Sequence, residues 1–311
     1  MRCMMMKQMD LKEEQRSATT EAAGLKNVLN VYRPQSVHMV GDGFHVRNLF
    51  PSNNLGEQIS PFLLLDYAGP TFYEATDRPR GVGEHPHRGF ETVTIVYQGE
   101  VEHRDSAGNA GRIGQDDVQW MTAGAGIVHE EKHEREFARR GGTLEAIQLW
   151  VNLPKAVKMS PPAYQTLLKA DIPIVELEHG SGFARIIAGE FRGVTGPART
   201  FTRVRLYDVR LNTGGRTAVT LPSSDNASVF VLKGRIVLNG TAAAKEAELA
   251  VFESKGERIE IQALDDATVL IMSGEPIHEP VAWSGPFVMN TQTELIQAMN
   301  DYRTGKMGHL D

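Results

Sequence analysis

The sequence predicts an all-β protein made of two similar β-barrels in tandem, with one short helix near the C-terminus. Three observations carry that reading. Helical periodicity is scarce, whereas short apolar, β-branched runs recur between turn residues. Two of these runs share one form. TVTIVYQGEVEH, around Gly99, and SVFVLKGRIVLNG, around Gly234, each give an apolar strand, a polar residue, a glycine, a charged residue and a second strand. They lie 135 positions apart, from 99 to 234, as a duplicated barrel would place them. Finally, 311 residues suit two domains better than one.

Taken in order, strands are expected at Thr92 to Tyr97, Ala146 to Val151, Val204 to Leu211, Ser228 to Leu232, Arg235 to Leu238 and Ala267 to Ser273. Gln98-Gly99-Glu100 and Lys233-Gly234-Arg235 read as hairpin turns. Residues 1–24 are expected to be a flexible tail, 25–155 the first domain, 156–175 a linker carrying Pro161, Pro162 and Pro173, and 176–311 the second domain. Within TQTELIQAMNDYRTGK, Thr291 is placed to cap a helix whose Leu295, Ile296 and Met299 share a face.

Composition narrows the function. The chain is 41% hydrophobic and 23% charged, ordinary for a soluble globular protein. Its net charge of -6 comes from interspersed acids and bases, and no basic stripe points to direct nucleic-acid binding. The single cysteine, Cys3, excludes a disulfide framework or a Cys-based zinc site within one chain. Residues 1–24 lack the apolar core of a secretory signal, and no window approaches the length of a membrane-spanning helix, so a cytoplasmic location is expected, with no membrane partner.

Chemistry concentrates between residues 85 and 131. Six side chains there could bind a metal: His85, His87, Glu91, His103, His129 and Glu131. Side chains on a strand alternate, so His85 and His87 share a face, as do His129 and Glu131. Two such strands side by side would bring three imidazoles and a carboxylate to one point. Gly124 and Gly126 allow a tight turn into the second strand. Alternation leaves Glu91 open as a ligand, because 85, 87 and 91 have the same parity. His103 reads as a satisfied or exposed histidine, His133 in the run EEKHERE as surface, Phe90 and Trp120 as core, and Arg88 as a buried ion-pair partner. None of the ten histidines falls between 180 and 277, so only the first barrel can hold a histidine-rich site. An open N/O donor set favours a redox-active first-row metal over a closed structural zinc.

The stretch HPHRGFETVTIVYQGEVEHRDSAGNAGRIGQDDVQWMTAGAGIVHEE resembles the signature region of the pirin family, within the cupin superfamily. RGGTLEAIQLWVNLP, YQTLL and GEPIHEPVAWSGPFVMNT extend the resemblance over residues 25–311. It implies two tandem cupin (jelly-roll) barrels facing each other, with a single metal in the N-terminal one. By match of motif the metal ligands would be His85, His87, His129 and Glu131. General cupins often use a glutamate at the position of Glu91; the pirin pattern favours Glu131 and leaves Glu91 as a pocket residue. The implied cofactor is one divalent ion, iron(II) above all, with Mn, Co, Ni, Cu or Zn compatible with the donors. The implied activity is that of a quercetin 2,3-dioxygenase: opening a flavonol's central ring with dioxygen and releasing carbon monoxide, with Glu131 or Glu91 as the base for the substrate hydroxyl. The alternative is a non-catalytic, iron-dependent redox sensor that binds a transcription factor or metabolic enzyme as its protein partner.

Overall fold

A computed structural model describes residues 24–34, 36–50 and 55–310; of the tail expected over 1–24, residues 1–23, with Cys3, lie outside them. Each barrel is a seven-stranded sheet facing a four-stranded one. In the first, the large sheet runs Ala163–Leu167, Val118–Thr122, Phe90–Gln98, Gly142–Asn152, Phe62–Tyr73, Phe44–Phe50, Val37–Val40, and the small sheet Gly81–His87, Ile127–His133, Val101–Asp105, Ala110–Ile113. The second repeats the plan. Its large sheet has Asn226–Lys233, Ala267–Gly274, Val204–Leu211 and Gly182–Ala188 at the centre, and its small sheet includes Arg235–Leu238 and Arg258–Ala263. All ladders are antiparallel, and every expected strand is present.

The two glycine turns differ from expectation in an informative way. Gly99 and Gly234 have φ of 81° and 82°, as tight turns require. Neither closes a hairpin. Phe90–Gln98 pairs with its neighbours in the large sheet, while Val101–Asp105, just past Gly99, pairs within the small sheet. Gly234 makes the same change of sheet in the second barrel. Both are corners at which the chain crosses the sandwich.

The large sheets pack against each other. Val93, Ile95, Trp120 and Leu149 from the first barrel form one buried cluster with Leu206, Phe230, Leu249 and Met272 from the second. The rings of Tyr67 and Phe230 meet edge-on at 5.1 Å. Strands of these sheets are therefore covered on both faces, which explains why they read as nearly continuous apolar runs. Asp116 adds a polar clamp: it bonds Arg210 of the second barrel and Lys169, and Arg185, which pairs with Asp208 at 2.7 Å, reaches its carbonyl.

Two segments lie outside the expected domain divisions. Val28–Tyr32 pairs with Leu249–Phe252 and so completes the second barrel's large sheet, with Val28 and Val31 against that barrel's core. Ala163–Leu167, inside the expected linker, is an edge strand of the first barrel. Each follows from pairing between residues distant in sequence, which composition does not reveal.

The helix Gln292–Arg303 carries the expected Thr291 cap as a full capping box with Glu294. Leu295 and Ala298 are buried and Met299 partly so, but Ile296 is 60% exposed, one position off the packed stripe. A second short helix, Arg135–Arg140, is capped by the Glu134 carboxylate, which accepts from the amides of Glu136 and Phe137. No helix among the described residues is long and apolar enough to cross a membrane.

After the second barrel the chain returns to the first. Arg88 and Phe287 are bridged, Arg88 pairs with Asp301 at 2.9 Å, and the Lys158 ammonium donates to the carbonyls of Gly89 and Val288 and to Asn152 Oδ1. The anticipated buried ion pair of Arg88 is thus with the C-terminal helix.

Candidate metal centre

His129 sits directly opposite His85 in the small sheet of the first barrel, so the three histidines of the two pairs face one interior. Their metal-capable nitrogens lie within 4.8 Å of one another. His129 and His87 are buried, and His85 is partly exposed at the rim.

Hydrogen bonding decides which nitrogens carry protons. A carbonyl can only accept, so His85 Nδ1 donates to Gly83 O at 2.8 Å and His87 Nδ1 donates to Pro286 O at 3.3 Å. With one proton on each ring, both Nε2 atoms are lone pairs, yet they face each other at 3.1 Å. His103 Nε2 donates to Asp105 Oδ2 at 3.2 Å, leaving His103 Nδ1 to accept from Gln119 Nε2 and from His129 Nδ1, each at 3.4 Å. His129 Nε2 is then a third lone pair, fully buried and without a hydrogen-bond partner. Three inward lone pairs repel unless a cation lies between them. Burial, then the neighbouring imidazoles, hold His87 and His129 well below the usual histidine range, so both rings stay neutral, as metal ligands must be. The donor set therefore fits a divalent first-row metal.

Glu131 lies two positions past His129, beyond a β-bulge that resets its pairing to Val82. Its oxygens cluster with His129 and His103 rather than with His85 and His87. Gln119 donates to Oε1 at 3.1 Å and Gln148 to Oε2 at 2.9 Å, and the Thr94 hydroxyl lies 3.1 Å from Oε1. Three neutral side chains thus hold this carboxylate.

The remaining candidates sort clearly. His103 is buried and holds His129 in place. His133, expected at the surface, is buried with Nε2 donating to Gly43 O at 2.8 Å. It shares the inward face of its strand with Glu131, while Glu130 and Lys132 pair on the outer face. Glu91 lies outside both metal-capable groups. Gly89, at φ 88°, separates the strand of His85 and His87 from the strand of Glu91, so parity does not carry across. Glu91 shares a face with Val93 and Ile95, accepts from Thr122 at 2.7 Å, and is pushed up to about 7 by burial. Phe90 and Trp120 are fully buried core residues. Phe90 stacks on Trp150 at 4.2 Å, Trp150 meets His87 at 5.1 Å, and Trp283 of the returning segment lies 5.7 Å from Trp150. Both tryptophans are only partly buried, so the rim beside His87 is aromatic. Sequence reasoning did not reach Thr94, Gln148, Asp105 or Pro286, which long-range pairing and the returning segment deliver.

The corresponding space in the second barrel is filled by Val229, Val231, Ile236, Ile259, Val269 and Ile271, all fully buried. It has no comparable donors among the described residues.

Comparison with known proteins agrees with this architecture. Residues 43–151 match the family described as Pirin, and residues 206–308 match its C-terminal cupin domain. The chain belongs to the pirin family. A Pseudomonas aeruginosa pirin relative named "putative quercetin 2,3-dioxygenase" is 51% identical, over 91% of this chain and 98% of its own length. A pirin-like protein of Caulobacter vibrioides is 40% identical over 80% and 88%. The crystal structure of a quercetin 2,3-dioxygenase from Acinetobacter baumannii superposes with a TM-score of 0.89 at 45% identity, over 92% of this chain and all of that one. The pirin bicupin fold is thus shared across nearly the whole chain.

Proposed function

We propose that this pirin is a metal-dependent dioxygenase that opens the central ring of a flavonol such as quercetin. The observation that carries the reading is the convergence of three unshared imidazole lone pairs at a partly exposed aromatic rim. The names of the similar P. aeruginosa and A. baumannii proteins support the substrate class.

His85, His87, His129 and Glu131 would hold one divalent ion, iron(II) in the first instance. Such an ion supplies Lewis acidity and a path for electrons between an enolate and dioxygen. The chain's own residues do the rest. The carbonyls of Gly83 and Pro286 and the His103–Asp105 pair fix three ring orientations, so each Nε2 points inward. Glu131, positioned by Gln119, Gln148 and Thr94, accepts the proton of the substrate's 3-hydroxyl. Trp150 and Trp283 offer flat apolar surface to an aromatic substrate at the rim and keep water from it.

The test is anaerobic reconstitution with iron(II), followed by quercetin and dioxygen. Loss of flavonol absorbance with matching carbon monoxide is expected. Absence of turnover with Fe, Mn, Co, Ni and Cu alike would overturn the enzymatic reading and leave the redox-sensing one.

A further inference from the structure

A second space in the first barrel borders Glu131 but none of the three histidines. It is a cavity of about 60 Å³ whose walls come from both sheets, so it lies within the sandwich. One water needs roughly 10–15 Å³ on this measure, so several small molecules would fit and an organic substrate would not. Phe44, Val46, Ala68 and Val82 give apolar walls. The polar groups on its border already have partners: Asp66 accepts from Asn48 at 2.6 Å, the Thr94 hydroxyl lies 2.8 Å from Gln148 Oε1, and Glu131 has its three donors. Eight of the twelve bordering residues are apolar, and cavities so lined take up small apolar molecules such as xenon.

We infer that this cavity is a holding site for dioxygen, separate from the aromatic rim at which the organic substrate would enter. The inference rests on the proposed dioxygenase reading for the identity of the gas. It places the small co-substrate one side chain, Glu131, away from the histidine cluster, in a space from which a flavonol is excluded by size.

Crystals of the full chain pressurised with xenon should show xenon against Ala68 and Ala146, paired neighbours on adjacent strands, beside Glu131. Ordered water at that position, or no density, overturns the inference. Ala146→Val should exclude xenon, and Ala68→Val serves if that variant does not fold. In the iron-loaded enzyme the filled cavity should raise KM for dioxygen about tenfold, the scale of added methyl groups competing for an apolar pocket, with KM for quercetin unchanged. A filled cavity with unaltered KM for dioxygen also overturns it. If no flavonol is turned over by the wild type, the functional reading fails, and the xenon result still decides the cavity.

Discussion

At the scale of single residues, the centre depends on groups that never touch a metal. His103 sets the tautomer of His129 through a 3.4 Å contact and is itself fixed by Asp105. His103→Phe keeps a ring against Tyr164, 4.8 Å away, but removes the acceptor. Iron(II) affinity should fall about 10–100-fold, and the metal-free protein should unfold at a lower temperature, because the buried Asp105 carboxylate loses a donor. Titration calorimetry and a thermal melt read the two quantities, and equal metal affinity would remove His103 from this role. Glu91 makes a different prediction. Burial raises its carboxyl from 4.5 to about 7. Its folded-state value lies above the unfolded one, so its contribution is fully present below about pH 4.5 and is lost as pH rises through 7. Glu91→Gln should therefore stabilise the metal-free protein above pH 7, by an amount on the order of 3 kcal/mol at most, and change little near pH 4.5. Denaturant melts at pH 5 and 8 measure this; equal effects at the two pH values would contradict it.

At the scale of elements, the strands carry the ligands but the returning C-terminal segment completes their support. The Pro286 carbonyl accepts the hydrogen bond from His87 Nδ1, Trp283 joins the rim, and the helix Gln292–Arg303 is tied to Arg88, the neighbour of His87, through Asp301. Removing one partner of a buried pair leaves the other charge uncompensated and costs about 3–5 kcal/mol. Asp301→Asn should destabilise the protein on that scale and speed iron loss to a chelator, because the segment bearing Pro286 is loosened with it. Destabilisation with unchanged iron release would separate the helix from the site. Turns show where local sequence misleads. A glycine between two apolar runs looks the same whether the chain doubles back in its own sheet or crosses to the facing one. At Gly99 and Gly234 it crosses.

At the scale of the whole molecule, two barrels of one plan divide the work: the first keeps a polar interior, and the second is packed with aliphatic side chains and buttresses it through the large sheets. Much of this is legible in the sequence, because alternation on a strand is a local property. His85, His87 and His129 follow from period-two spacing, and the lack of histidine from 180 to 277 assigns the site to one barrel. What escapes is non-local or broken by a single backbone event. Val28–Tyr32 joins a sheet whose partner strand lies more than two hundred positions on. Gly89 interrupts the parity that made Glu91 equivalent to the histidines. The charged neighbours of His133 mask an inward-facing residue on an alternating strand.

The most direct test is anomalous diffraction at the iron edge from crystals of the iron(II)-reconstituted protein. One peak per chain is expected, at about 2.0–2.2 Å from Nε2 of His85, His87 and His129, with a Glu131 oxygen completing the protein ligands. A peak away from these three nitrogens, a second peak in the C-terminal barrel, or full iron content in His87→Ala would contradict the assignment.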